Sequence, residues 1–216
     1  MIKVLSEEFS IVQEWINELR NIQTQSDRMR FRRNLQRIGE IAAYEISKSL
    51  PTETVEITTP LSQIMSRKIK VQPVITTILR AGIPLFEGVL NYLDHADCGF
   101  VAAYRKHETN EYFSIQQDYL TCPNLDDRPL IIADPMLATG ASLLEAMKDL
   151  LTHGTPTQIH IVAAIASQKG IQTVLYQYPE VNLWIGALDP DLTHKGYISP
   201  GLGDAGDLSY GHKIQS

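Results

Sequence analysis

The stretch Leu130-Ile131-Ile132-Ala133-Asp134-Pro135-Met136-Leu137-Ala138-Thr139-Gly140-Ala141-Ser142, followed by the helical pattern Leu143 to Leu151, reads as strand, loop and helix. A short apolar run ends in Asp134, crosses a loop and enters a helix at small hydroxylated residues. That arrangement aims free backbone N–H groups at an anion. Thr139 and Ser142 add hydroxyl donors, and Gly140 lets the backbone approach a ligand closely. Asp134 stands at the carboxyl end of the strand, where open α/β sheets bind ligands. The loop is not a Walker A sequence, because no lysine follows Gly140 and the first glycine is missing. A carboxylate beside a phosphate-sized cradle suits hydroxyls such as those of a ribose. An ordinary β–α turn with Ser142 near the helix start presents the same pattern.

Outward from this stretch, the chain alternates strands and helices. Val74-Ile75-Thr76-Thr77-Ile78-Leu79 is a β-branched run of the kind found in buried parallel strands. It ends in Arg80-Ala81-Gly82 and passes into a helical pattern that reaches Leu93. Gly99 to Tyr104 is the next strand and delivers Arg105 at its end. Lys106 to Pro123 is polar with alternating Tyr112, Ile115 and Tyr119, an extended hairpin projecting from the sheet. Leu130 to Ala133, Ile159 to Ile165 and Val181 to Ile185 supply further strands, with helices Ser142 to His153 and Gln168 to Tyr178 between them. Such alternation predicts an α/β fold whose central sheet is mostly parallel and flanked by helices.

Before that core, Ser6 to Arg20 reads as a helix capped by Ser6, with Phe9, Val12, Ile16 and Leu19 at helical spacing. A second helix runs from Ser26-Asp27 to about Leu50, with Met29, Leu35, Ile38, Ala42 and Ile46 on one face. Its Arg28, Arg30, Arg32, Arg33 and Arg37 form a basic patch. This is read as a solvated face paired with Asp27, Glu40 and other carboxylates rather than a nucleic-acid surface. Glu53 to Thr58 and Ile64 to Ile69 form a small antiparallel pair.

The whole chain supports this reading. Its 216 residues suffice for one sizeable domain spanning 1–216, and 44% hydrophobic with 20% charged residues fits a globular protein. A net charge of -6 argues against general nucleic-acid affinity but not against an anionic substrate. Two cysteines, Cys98 and Cys122, give neither a disulfide framework nor a zinc pattern. No apolar run approaches a membrane span, and acidic residues arrive too early for a signal peptide, so cytoplasm is the expectation. None of the six histidines forms a metal-ligand pair.

The second informative stretch is Tyr197-Ile198-Ser199-Pro200-Gly201-Leu202-Gly203-Asp204-Ala205-Gly206-Asp207. Its glycines match G-x-G-x-x-G, but a proline stands where a strand should, and only ten residues follow Gly206. No helix and no ribose-binding acid about 20 residues later are expected there, and the dinucleotide-binding reading is rejected. A glycine-rich terminal turn, or a rigid loop offering backbone groups to a small planar ligand, remains.

These motifs resemble those of uracil phosphoribosyltransferases. Asp134 to Ser142 is similar to the family's phosphoribosyl pyrophosphate loop, with Ala141 where Gly is usual. A methyl group there would crowd a phosphate if the position needs a positive φ. Ile78-Leu79-Arg80-Ala81-Gly82 resembles the pyrophosphate loop, and Tyr104-Arg105 the site of a second arginine. Tyr197 to Asp207 resembles the uracil-binding signature. The chain departs from the usual pattern at Ile83-Pro84-Leu85 and at Leu208-Ser209-Tyr210. The resemblance implies a phosphoribosyltransferase fold with a protruding hairpin and a C-terminal hood over the base.

By the same resemblance, uracil and phosphoribosyl pyrophosphate give uridine monophosphate and diphosphate, with no covalent nucleophile. Arg80, Arg105 and Asp204 would be catalytic. Phosphoribosyl pyrophosphate would contact Arg80, Arg105, Asp134, Pro135, Met136, Leu137 and Asp204, the last directly or through magnesium-bound water, with Asp134 on the ribose hydroxyls and the loop Ala138 to Ser142 on the 5-phosphate. Ile198, Gly203, Asp204 and Ala205 would hold uracil, chiefly through backbone groups. Mg2+ would arrive on the substrate, bound directly by no protein ligand. A homodimer or higher homo-oligomer is implied, with neither nucleic acid nor membrane as partner. Competing readings are a transferase for another base, and a nucleotide-binding regulator of pyrimidine metabolism with weak or no transferase activity.

Overall fold

The structure is a computed structural model that describes residues 1–107 and 113–212, with side chains outside 103–118. In chain order its elements are β1 (Ile2–Val4), α1 (Ile11–Arg20), α2 (Arg28–Ser47), β2 (Thr52–Thr58), β3 (Gln63–Ile69), β4 (Val74–Leu79), α3 (Ile83–Tyr92), β5 (Asp97–His107) and β6 (Phe113–Thr121). There follow β7 (Pro129–Ala133), β8 (Met136–Leu137), α4 (Ala141–Leu150), β9 (Gln158–Ser167), α5 (Gln168–Gln177), β10 (Asn182–Asp189), β11 (Asp191–Leu192), β12 (Ile198–Ser199) and α6 (Ala205–Tyr210).

The main sheet runs β1-β10-β9-β7-β4-β5-β6, with β8 added beside β9. Every pairing is parallel except β5 with β6. The expected mostly parallel α/β sheet is therefore present. Its strands are buried on both faces, which is why they read as continuous apolar runs. In β7, Ile131 and Ala133 face the core shared with α1, α2 and α3, whereas Leu130 and Ile132 face the core shared with α4 and α5. β2 and β3 form the separate antiparallel pair.

Beyond Ala102, the last residue of β5 paired with β4, β5 and β6 continue as a two-stranded ribbon to His107 and Phe113. This is the expected projecting hairpin; its tip and the Tyr112 position lie outside the described residues. Arg105 does not end its strand: β5 continues through it, paired with Ile115. Its side chain, like that of Tyr104, lies outside the described residues.

Several boundaries differ from expectation for local reasons. Ser10, not Ser6, caps α1, its hydroxyl accepting the Val12 N–H at 3.3 Å, so Phe9 precedes the helix and is exposed. The residues before it form β1, too short to announce itself by alternation and stabilised by pairing with β10. Asp27 caps α2, accepting the Arg30 N–H, instead of pairing with an arginine. Met29 lies in the first turn and points to solvent, while Leu35, Ile38, Ala42 and Ile46 are buried. The arginine patch is engaged within the chain: Arg33 reaches Glu40 at 3.1 Å, Arg32 donates to the Ser209 carbonyl at 2.7 Å, and Arg37 stacks on Trp15. A short helix, α6, does follow the terminal glycine motif, because Asp204 supplies its N-cap.

Candidate active site

Parallel strands place all their carboxyl ends on one edge of the sheet. Thr77 pairs with Ala133, and Leu79 with Ala102, so the loops after β4 and β7 leave the sheet side by side. Thr77 fastens them, its hydroxyl donating to the Ala133 carbonyl at 2.8 Å. Gly82 packs into this junction, where a Cβ would lie 2.0 Å from the Thr77 hydroxyl oxygen. Arg80 and Asp134 are thereby held on adjacent loops. The Leu79-Arg80 peptide is cis.

The loop after Asp134 is pinned along its length. Met136 and Leu137 pair with Ile165 and Ala166 of β9 as β8. Ser167 accepts the Gly170 N–H at 2.8 Å as the N-cap of α5 and donates to the Ala138 carbonyl at 2.6 Å. Gly170 lets α5 come this close, since a Cβ there would sit 2.4 Å from the Ala138 oxygen. Thr139 turns its hydroxyl oxygen toward the Ala141 N–H at 3.4 Å. Gly140 has φ 84 and, as the N-cap of α4, supplies no side-chain cap of its own. The first-turn N–H groups of a helix lack intrahelical acceptors, and such a helix start suits an anion. The positive φ belongs to Gly140; Ala141 is the first helical residue, so its methyl group meets no left-handed strain.

The C-terminal motif folds back onto Arg80. Asp204 caps α6 by accepting the Asp207 N–H at 2.9 Å. The Arg80 guanidinium donates to Asp207 at 3.0 Å and to the Gly211 carbonyl at 2.5 Å. A Cβ on Gly206 would lie 3.2 Å from the Asp204 carboxylate and 3.8 Å from Arg80 Nε, so these two side chains flank it. The preceding turn returns to the other loop: a Cβ on Gly196 would meet Thr139 at 3.6 Å. Ile198 is buried in β12, Gly203 has φ 100, and Ala205 begins α6.

The structure thus brings together Arg80, Asp134 to Ser142, Ile198 and Gly203 to Ala205 on one edge, and carries the Arg105 backbone on the neighbouring ribbon. Among the described residues no three His, Cys, Asp or Glu side chains cluster to hold a metal. A groove of about 760 Å3 between α1 and α2, walled by Trp15 and Arg37, shares no residue with these loops. Thr77, Ser167, Gly170 and the ion pair Arg20–Asp189 support the site and were not foreseen. Ser167 immediately before the helical pattern at Gln168 is a helix-start signal that sequence could have offered; the others depend on contacts distant in the chain.

A family model for uracil phosphoribosyltransferase matches residues 6–212. The uracil phosphoribosyltransferase of Porphyromonas gingivalis is 45% identical over 211 residues, covering 97% of this chain and 98% of the relative. That of Pyrococcus furiosus is 36% identical, covering 97% and 90%. The solved structure of the AQ2163 protein from Aquifex aeolicus superimposes with a TM-score of 0.87 at 32% identity, covering 100% of both chains. By motif, fold and relatedness, the chain belongs to the uracil phosphoribosyltransferase family.

Proposed function

We propose that the protein, as a single domain over 1–216, transfers the phosphoribosyl group of phosphoribosyl pyrophosphate to N1 of uracil, releasing diphosphate and forming uridine monophosphate in pyrimidine salvage. The observation that carries this reading is the meeting of three loops at one sheet edge: a helix start entered through a glycine, an arginine loop and a rigid turn rich in backbone groups. Cleavage of the C1′–O bond develops cationic character on the ribose and negative charge on the departing diphosphate. Arg80 and Arg105 answer the second charge. Asp134 takes the ribose hydroxyls, and the N–H groups from Thr139 to Ser142 take the 5-phosphate. Backbone groups from Ile198 to Ala205 pair with O2, N3–H and O4 of uracil, and a site built this way rejects a base with mismatched donors. With both ends of the substrate and the base anchored, most of the rate enhancement is positioning.

Magnesium fits this scheme as cargo of the phosphoribosyl pyrophosphate. The described residues build no protein metal cage, and Asp204, flanking Gly206 opposite Arg80, suits contact through metal-bound water. The ion would supply charge neutralisation at the diphosphate. The same reading takes the protein as a cytoplasmic homodimer or larger homo-oligomer acting on small molecules. No helix among the described residues is long and apolar enough to cross a membrane.

A diphosphate-release assay with uracil and phosphoribosyl pyrophosphate tests the proposal, with xanthine, hypoxanthine and cytosine as competing bases. Release dependent on uracil is expected. A higher turnover with a purine overturns the base assignment. Uridine monophosphate binding without any release would instead favour a nucleotide-binding regulator.

A further inference from the structure

The turn assigned to the base is held from outside by two charges that stand away from the loops named above. Arg20, the last residue of α1, grips Asp189, the last residue of β10, at two points: Nη2 to Oδ1 at 2.6 Å and Nη1 to Oδ2 at 2.8 Å. Asp189 is only 3% exposed. Both side chains then hold the same residue of the turn. Asp189 Oδ2 accepts the Gly201 N–H at 2.9 Å, and Arg20 Nη1 donates to the Gly201 carbonyl at 3.0 Å. One residue on, the Gln25 amide donates to the Leu202 carbonyl at 3.1 Å while also bonding the Leu19 carbonyl at 2.9 Å. Gly201 has φ 60, and a Cβ there would fall 2.1 Å from the Ile198 carbonyl oxygen. The turn is therefore wound tightly and its peptide groups are fixed in direction.

A base read by backbone dipoles is read only as sharply as those dipoles are held. A buried ion pair is a poor source of net stability, because desolvation offsets its attraction, but its planar, two-point geometry specifies direction well. We propose that Arg20 and Asp189, assisted by Gln25, are positioning residues for the pyrimidine: they set the affinity for uracil by orienting the Ile198–Gly203 backbone. This rests on the reading that this backbone receives the base.

The test is steady-state kinetics on the full chain, separating the KM of uracil from that of phosphoribosyl pyrophosphate, with thermal unfolding measured alongside. Arg20→Lys keeps the charge but cannot span two carboxylate oxygens and a carbonyl. It is expected to raise the uracil KM about tenfold while the phosphoribosyl pyrophosphate KM moves less than about twofold. Gln25→Ala removes a half-buried amide without stranding a charge, so it remains informative if Arg20→Lys folds poorly. Its expected effect is a rise of about threefold in the uracil KM alone. Equal changes in both KM values, or a lower Tm with unchanged uracil KM, overturn the proposal in favour of a purely structural clamp. Gly203→Val separates the two levels of inference. If it raises the uracil KM while Arg20→Lys and Gln25→Ala leave it unchanged, the positioning role fails alone. If all three leave it unchanged, the base-loop reading fails and takes the positioning role with it.

Discussion

Gly170→Ala tests whether the phosphate loop is held in place by α5. In the third position of that helix, a Cβ would lie 2.4 Å from the Ala138 carbonyl oxygen and 2.7 Å from that of Leu137. A carbon meets a carbonyl oxygen comfortably at about 3.3 Å, so loop or helix must yield by about 0.9 Å. The loop is tied to β9 through β8 and to Ser167, and α5 begins at that same serine, so the strain falls on the peptides that precede Thr139 and Gly140. A misplacement near 1 Å in a positioning site costs about 10²-fold in rate, or about 2.7 kcal/mol. Helix propensity acts in the opposite sense, since alanine is favoured over glycine in a helix by about 1 kcal/mol. Overpacking of about 1–3 kcal/mol opposes it, leaving a modest fall in stability. The assay is diphosphate release at varied phosphoribosyl pyrophosphate and saturating uracil, with Tm measured in parallel. We expect kcat/KM for phosphoribosyl pyrophosphate to fall about 10²-fold while the folded fraction stays near that of the parent. Gly88→Ala is the control, because its Cβ would strike the Gln36 carbonyl at 2.0 Å between α2 and α3. It should lower Tm and leave the per-molecule KM alone. An unchanged kcat/KM in Gly170→Ala with an equal or higher Tm would refute the idea that α5 fixes the loop.

Three further perturbations read separate parts of the molecule. Arg80→Ala removes the cation proposed to face the departing diphosphate and should lower kcat/KM by about 10²-fold; near-normal turnover would take Arg80 out of the reaction. Ser209→Ala should raise stability by about 1 kcal/mol, seen as a higher Tm, because the Ser209 hydroxyl is buried without a partner among the described residues and its removal relieves a desolvation cost. His160 is fully buried, and burial, with the positive N-terminus second, lowers its pKa from 6.5 to about 4. Its Nδ1 receives the Trp184 indole N–H at 3.1 Å, so the ring proton sits on Nε2 toward Gln158. Between those pH values the unfolded chain binds the proton and the folded chain does not. Stability from this site is full above pH 6.5 and should decline by about 3 kcal/mol as pH falls toward 4, measured by urea unfolding across that range. A His160→Gln variant that keeps the same slope would assign the acid sensitivity elsewhere.

The sheet was legible because its strands are buried on both faces: Leu130 to Ala133 and Val74 to Leu79 are apolar without alternation, and helices of ordinary length separate them. What escaped notice has a physical reason in each case. β1 is three residues long and borrows its order from β10. α1 starts four residues late because Ser10 and Ser6 are equally good caps in sequence, and only packing leaves Phe9 outside. No helix is expected at α6 because a proline precedes the glycines and only ten residues follow Gly206, yet an Asp204 cap and burial of Ala205 and Ser209 suffice for six residues.

At the site, the division follows chemistry. The side-chain roles proposed for Arg80 and Asp134 show in sequence, since each is a charge standing directly after an apolar strand. Backbone roles do not, because any residue has an N–H and a carbonyl. Their sharpness comes from whatever holds the peptide still, and those holders are remote: Ser167 lies 29 residues from Ala138, and Arg20 lies 181 residues from Gly201. A site that reads phosphate and base through peptide groups, as proposed for this one, spreads its specificity over residues that never meet a ligand. Asp189 shows the consequence. It is as buried as the core around it, yet its carboxylate is committed to one arginine and one peptide N–H. Replacing it with an apolar residue of similar volume would leave the Arg20 guanidinium and the Gly201 N–H without their acceptor, and would release the turn proposed to receive the base.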